Sequence, residues 1–146
     1  MSRIYHSPVP DVAIPKQSIF TQVFSNRFDP RLPAYIDAPT GHTLSRADVH
    51  MQSLQFAWGM KNILNQRRGS TMAIISPNSM TWPIVLLGGI AAGMRITTVN
   101  SAYTPSELRH QLEVFPLHSS YMVHSNTRHP SLRTVGHIAY LFIRVY

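Results

Sequence analysis

The sequence has no cysteine, which removes a disulfide framework, a thiolate nucleophile and any Cys-containing zinc site from consideration. Acidic residues are scarce. Six Asp+Glu face thirteen Lys+Arg, giving a formal charge of +7, and the six acids form no recognisable catalytic pair. Such a charge attracts nucleic acid or an anionic surface in principle. The arginines are dispersed, however. Arg67-Arg68 is the sole doublet, and no aromatic-interleaved basic stripe accompanies it, so no nucleic-acid role is expected. Lysine is nearly missing, with only Lys16 and Lys61 in 146 residues. The longest apolar run, Trp82 to Met94, falls short of the ~20 residues that span a bilayer and contains three glycines, so a buried core helix is expected there. The N-terminus has Arg3 but no apolar h-region, because His6, Ser7, Pro8, Pro10 and Asp11 interrupt it. No secretory signal is expected.

What is present is a set of punctuated apolar segments. Hydrophobic residues make up 44% of the chain, which excludes an acidic or low-complexity disordered class. From Thr71 to Leu112 the chain reads TMAIISPNSMTWPIVLLGGIAAGMRITTVNSAYTPSELRHQL. Met72 to Ser76 predicts a buried strand ended by Pro77-Asn78, where proline removes a ladder donor. Asn78 or Ser79 is expected to cap a helix with Pro83 in its first turn and the run to Met94 as its body. The β-branched stretch RITTV, Arg95 to Val99, predicts the next strand. Thr104-Pro105-Ser106-Glu107 is a capping box with proline at N1, and Leu108, Leu112 and Phe115 share one face of the helix that it opens. Pro116 stops that helix, and Ser120 to His124 predicts a third strand.

The residues before this stretch attach to it. Prolines at 8, 10 and 15 predict an extended arm over residues 1–17, lying on another surface. Ser18 caps a short helix carrying Ile19, Phe20, Val23 and Phe24, whose aromatics are expected in the core. Ala34 to Asp37 and His42 to Leu44 flank Ala38-Pro39-Thr40-Gly41 as a hairpin. Ser45-Arg46-Ala47-Asp48 opens a long helix with two apolar stripes, Ala47, Met51, Leu54, Trp58 and Phe56, Met60, Ile63, which predicts packing between two layers. Gly69 suits a C′ residue there, with Arg67-Arg68 near the carbonyl end of the helix dipole.

Three groups of residues are distinctive beyond their secondary structure: Pro77-Asn78-Ser79; the small-residue helix through Gly88, Gly89, Ala91, Ala92 and Gly93; and Asn100-x-x-Tyr103-Thr104-x-x-Glu107-Leu108-x-x-Gln111-Leu112. In these the chain resembles the early region of the adenylate-forming, AMP-binding acyl-CoA synthetases, especially the 4-coumarate–CoA ligase and luciferase branch. The resemblance runs from about Pro8 to Pro130; Ser70 departs from it, since relatives usually show Gly-Asp before that strand. It implies an α/β fold, a partial Rossmann-like βαβαβ layer preceded by an arm, a short helix and a β-hairpin, as at the start of the family's large N-terminal domain. Residues 18–134 would form that incomplete domain. Residues 135–146 show no family pattern and read as a divergent, apolar, β-prone tail; a premature end, an altered reading of the gene or a divergent tail all fit it.

The family's chemistry is sought here without success. Intact relatives convert a carboxylate and ATP to an acyl adenylate and then a CoA thioester, using ATP, Mg and CoA. They hold the phosphates with a Ser/Thr-Gly-rich loop ending in Pro-Lys, and no such loop occurs in this sequence. Gly88-Gly89 begins G-G-x-x-x-G inside a predicted helix, which is not a dinucleotide fingerprint. His118, His124 and His129 have neither i,i+4 nor i,i+2 spacing and no completing carboxylate, so no zinc site is assigned. Ser76, Ser79 and Ser101 lack a nucleophile elbow. No catalytic, cofactor-binding or metal-ligating residue is therefore assigned, and no cofactor is expected for this chain alone. The resemblance implies the N-terminal portion of a carboxylic acid–CoA ligase, inactive by itself; the alternative is a non-catalytic module that binds a partner such as a complementary ligase fragment. The terminal Arg144-Val145-Tyr146 is not a peroxisomal address, so a cytoplasmic location is expected.

Overall fold

The structure, a computed structural model, describes residues 8–25, 29–114, 120–122, 133–135 and 138–143. Residues 8–17 form neither helix nor strand, and Val9, Val12 and Ile14 stand exposed. Helix α1, Ile19–Val23, begins where Ser18 Oγ accepts the Thr21 amide. It contributes less to the core than its aromatics suggested. Phe20 and Phe24 are half-buried, their ring centroids 4.8 Å apart and 5.5 and 4.7 Å from that of His50.

The hairpin is present as β1, Pro33–Ile36, and β2, Thr43–Ser45, paired antiparallel with an irregularity between Pro33 and Tyr35. Gly41 takes φ +70° in its turn, where an L side chain would be strained. Ser45 then caps α2, Arg46–Asn62, in a complete capping box. The Asp48 amide donates to Ser45 Oγ at 3.1 Å and the Ser45 amide to Asp48 Oδ2 at 2.9 Å.

Helix α2 ends well before Gly69. Asn65 adopts φ 51°, the Leu64 amide turns back to the Gly59 carbonyl and Gln66 N–H to that of Met60, so asparagine supplies the left-handed residue that terminates the helix. Arg67-Arg68 consequently lies in the loop beyond the helix, and Gly69, at φ +84°, serves a turn before the next strand. The stripes of α2 also differ from expectation. The buried face is Val49, Ser53, Phe56, Ala57 and Met60, whereas Met51, Leu54, Trp58 and Ile63 are exposed. One layer covers α2, and its other apolar side faces outward among the described residues.

The central unit is β3, Thr71–Ile75, then α3, Trp82–Ala91, then β4, Arg95–Val99. The strands pair in parallel from Thr71 opposite Arg95 to Ile75 opposite Val99. A parallel pair demands a crossover, and the apolar, glycine-containing α3 provides it. The N-cap of α3 is Thr81, without a side-chain cap bond, so neither Asn78 nor Ser79 caps it; Met80 and Thr81 form one further turn that lets the Ser79 carbonyl accept the Trp82 amide at 3.2 Å. At its other end α3 stops three residues before Met94 in a Schellman motif: Gly93 has φ +78°, its amide donates to the Ile90 carbonyl, and Met94 donates to Gly89.

Gly88 and Gly89 are packing residues. A Cβ on Gly88 would lie 2.7 Å from the Ser53 carbonyl oxygen and 2.7 Å from Phe56 Cδ1 of α2, while one on Gly89 would meet Met72 and Ile96 of the sheet. Their bare backbone lets α3 sit between α2 and the strands. The core there comprises Phe56, Ala57, Met60, Met72, Ile74, Val85, Ala92 and Met94, and a smaller cluster of Leu44, Val49 and Ile84 lies beneath the hairpin.

Helix α4, Pro105–Val114, follows β4 and opens with the predicted box: Thr104 N–H donates to Glu107 Oε2 at 2.8 Å, and Glu107 N–H reaches Thr104 Oγ1 at 3.4 Å. The side chains of Leu112 and Phe115, expected on one face with Leu108, lie outside the described residues. The third predicted strand exists as β5, Ser120–Met122, and touches β3. It pairs antiparallel with β7, Ile138–Ile143, which also pairs antiparallel with β6, Arg133–Val135, giving the order β5-β7-β6. Within the apolar tail, residues 138–143 thus form a strand with partners on both sides.

Candidate functional site

In an open parallel sheet, ligands lie outside the carboxyl ends of the strands, where loops lead into helix N-termini. Here those loops are Ser76-Pro77-Asn78-Ser79-Met80-Thr81 after β3 and Asn100-Ser101-Ala102-Tyr103-Thr104 after β4. Neither contains a charged residue. Their hydrogen bonds close inward: Ser76 Oγ donates to the Pro77 carbonyl at 2.8 Å, the Ala102 amide donates to Asn100 Oδ1 at 3.0 Å, and the Tyr103 amide donates to the Asn100 carbonyl at 3.1 Å. Asn100 therefore shapes its own loop as an Asx-turn.

At the two helix N-termini several amides are likewise engaged or missing. At α3 the Trp82 amide is taken by Ser79, Pro83 has no N–H, and the Val85 amide donates to the Thr81 carbonyl at 3.1 Å. At α4 Pro105 again lacks a donor, Glu107 N–H turns to Thr104 Oγ1, and Leu108 N–H donates to the Thr104 carbonyl at 3.0 Å. The hydrogen bonds from the Thr104 hydroxyl and then from its amide hold the Glu107 carboxyl below its ordinary pKa. That carboxylate already occupies the anion position of the helix.

Two clefts flank this edge. One, about 420 Å³, lies between the hairpin and the start of α3 and is lined by His42, Thr43, Asp48, Gln52, Met80 and Thr81 among others. Its carboxylate is committed to the α2 cap, and Ser45, through its hydroxyl and then its amide, lowers the Asp48 pKa, with His42 adding a smaller effect in the same direction. The second, about 590 Å³ and open, runs along α4 past Tyr103, Glu107, His110 and Gln111. Gln111 is spent on structure: its Nε2 donates to Thr97 Oγ1 at 3.1 Å and to the Thr98 carbonyl at 3.0 Å, fastening α4 to β4. This tie spans 13 and 14 residues, so no local pattern announces it.

Among the described residues, the donor set at this edge does not fit a nucleoside triphosphate with its magnesium. Phosphates require cations or convergent amides, and a hard divalent cation requires oxygen ligands with carboxylates among them. The loops offer neutral side chains, and at the helix starts Pro83 and Pro105 lack an amide while the Trp82, Val85, Glu107 and Leu108 amides are engaged. Lys16 and Lys61 are exposed, one in the arm and one in the last turn of α2. Among the described residues no group of three His, Asp or Glu is placed to hold a metal ion; His118, His124 and His129 lie outside them.

Comparison with known proteins places this geometry. The model of the AMP-binding enzyme family matches residues 24–127. The chain is 34% identical over 114 residues to 4-coumarate–CoA ligase-like 3 of Oryza sativa subsp. japonica, covering 74% of this chain and 19% of that protein. It is 37% identical over 87 residues to a long-chain-fatty-acid–CoA ligase of Haemophilus influenzae, covering 60% of this chain and 15% of that protein. The chain thus spans about a fifth or less of the relatives that it matches. In fold it is similar to apo MatB from Rhodopseudomonas palustris, with a TM-score of 0.66, 17% identity and coverage of 76% of this chain and 26% of MatB. It is likewise similar to the N-terminal subdomain of Klebsiella oxytoca NpsA, with a TM-score of 0.62, 18% identity and coverage of 75% and 27%. The predicted α/β architecture is that of the N-terminal domain of these enzymes. On the match over residues 24–127, the chain belongs to the AMP-binding enzyme family.

Proposed function

We propose that this chain is the N-terminal scaffold portion of a carboxylic acid–CoA ligase and catalyses no acid activation by itself. The observation that carries this reading is the neutral carboxyl edge of β3 and β4 in a chain whose relatives are acid–CoA ligases five or more times its matched length. Activating a carboxylate with ATP needs positioned groups where charge develops, and removing even one such donor costs on the order of a hundredfold in rate. The ATP, magnesium and CoA of an intact ligase would be handled by segments that this sequence does not contain. The acid would be an aryl or fatty acid, and the compartment the cytoplasm. No helix among the described residues is long and apolar enough to cross a membrane.

The test is acid-dependent pyrophosphate release from ATP, with CoA present, over a panel of aryl and fatty acids and with a full-length relative as control. The chain alone should give none. Acid-dependent release by material freed of host ligases would defeat the proposal.

A second reading, a module that completes a separately made ligase fragment, is favoured by the β3–β4 pair. Parallel sheets of this kind are ordinarily larger and covered. Co-expression with a relative's fragment beginning after the matched region should yield a soluble complex. Two species that migrate independently on gel filtration would sink this second reading without touching the first.

A further inference from the structure

Three arginines belong to one corner of the fold, at the amino ends of β3 and β4, away from the carboxyl edge described above. The Ser70 amide donates to the Arg67 carbonyl at 3.1 Å, closing a turn with Arg68 and Gly69 at its centre, and Gly69 supplies the positive φ, +84°, that a type II turn needs there. That turn is tied to the start of β4. The Gly69 amide donates to the Gly93 carbonyl, the Arg95 amide to the Ser70 carbonyl and Arg95 Nε to the Gly69 carbonyl, each at 2.9 Å. The Arg68 stem lies over Gly93, its Cγ 3.0 Å from where a Cβ would stand. Arg67, Arg68 and Arg95 are all exposed, and among the described residues no carboxylate pairs with any of them.

Ser70 sits among these cations with nothing to do. Its Oγ makes no hydrogen bond in the described structure and is not sealed from solvent as the orphaned hydroxyls of Ser53 and Ser79 are. Thr71, the next hydroxyl, is buried at the start of β3, so of the two Ser70 is the one offered. In sequence the corner reads Arg67-Arg68-Gly69-Ser70, two guanidiniums standing three and two residues before an acceptor hydroxyl. Protein kinases select substrates by charge patterns of this kind, because a kinase carboxylate takes an arginine through two parallel hydrogen bonds. Drawing residues 67–70 into an extended form breaks the turn bond and the bond to Gly93 while leaving the core of α2, α3 and β3 in place.

We propose that Ser70 is a phosphorylation site for an arginine-directed serine kinase, and that Arg67, Arg68 and Arg95 hold the phosphate once it is there. In the transfer the γ-phosphoryl group of ATP forms a bond to Ser70 Oγ, its bond to the β-phosphate oxygen breaks, ADP leaves and the hydroxyl proton goes to the catalytic aspartate of the kinase. The product is a dianion beside three cations. Arg67 starts within about 7 Å of it across the turn, and Arg95 is already fastened one residue away, so charge-assisted bonds pin the turn to β4. The inference is independent of the ligase reading, because it uses neither the carboxyl edge nor any group of the family's chemistry.

The experiment is incubation of the full chain with cyclic-AMP-dependent protein kinase and ATP, with the modified residue located by peptide mass spectrometry. One phosphate should enter at Ser70, and Ser70→Ala should abolish it with unchanged far-UV circular dichroism. Replacing Arg67 and Arg68 together by Gln should slow incorporation roughly a hundredfold, two charge-assisted contacts each contributing about tenfold. The phosphorylated chain is then titrated by phosphorus NMR. Its phosphoserine should ionise about one unit below the ordinary second pKa near 6, and Arg95→Gln should reverse roughly half of that shift. The proposal is overturned by an unmodified Ser70 under conditions that fully modify a control peptide, by an unchanged rate in the folded Arg67→Gln, Arg68→Gln variant, or by a phosphoserine 70 that titrates at its ordinary value.

Discussion

Replacing Gly88 with alanine tests the packing of α3 against α2 most directly. The added methyl would lie 2.7 Å from the Ser53 carbonyl oxygen, 2.7 Å from Phe56 Cδ1 and 3.0 Å from Phe56 Cβ. The carbonyl belongs to the backbone of a 17-residue helix and cannot step aside as a side-chain tip can. Overpacking of this kind costs about 1–3 kcal/mol, and the rigid obstacle places Gly88 at the upper end. Alanine regains about 1 kcal/mol of helix propensity over glycine. The net effect is a loss of about 2 kcal/mol, or a fall in Tm of roughly 6 °C for a domain of this size. Gly89→Ala is the internal comparison. Its methyl meets the terminal carbons of Met72 and Ile96, which can rotate away, so the propensity gain offsets most of its cost. Urea unfolding followed by far-UV circular dichroism should therefore rank wild type near Gly89→Ala and both clearly above Gly88→Ala. A Gly88→Ala chain as stable as wild type, or a Gly89→Ala chain that is the weaker variant, would refute the close-approach argument.

Ser53 is fully buried, and its hydroxyl has no hydrogen-bond partner in the structure, so Ser53→Ala should raise stability by about 1 kcal/mol in the same urea experiment. Ser45→Ala removes the acceptor of the α2 capping box and should cost about 1 kcal/mol, read as a shift in urea midpoint at constant slope. Asp48 and Glu107 both have folded pKa values below their ordinary ones, so the unfolded chain binds these protons more tightly. Their stabilisation is complete above the ordinary carboxylate range near pH 4–4.5 and is lost as pH falls through the lower folded values. Asp48→Asn combined with Glu107→Gln should flatten stability against pH below about pH 4.5, and an unchanged acid limb would contradict that assignment. Gln111→Ala frees the tie between α4 and β4 and should increase amide hydrogen exchange in α4 while leaving β3 protected.

The features readable in the sequence were those decided within a few residues. The capping boxes at Ser45 and Thr104, the cap at Ser18, the proline in the first turn of α3 and the turn at Gly41 each depend on a local backbone geometry that the residue types themselves select. The βαβ order followed from them, since a β-branched segment after an apolar helix of that length returns in parallel. The missing phosphate loop was also visible, because that chemistry requires particular residues in an unbroken run. Other features needed three dimensions. Apolar spacing allowed α2 two buried sides, and only the placement of α3 and β3 decided that Phe56 and Met60 enter the core while Met51, Leu54 and Trp58 face outward. Asn65 took the left-handed position that glycine at 69 could equally have supplied, because the contacts of α2 end near Met60. The fastening of α4 by Gln111 and the capture of β5 by β7 join residues far apart in sequence, and pattern over a short window has no means of ranking such partners. Local propensity determined the elements and their caps; burial and strand pairing, which depend on what lies opposite, were decided by the tertiary structure.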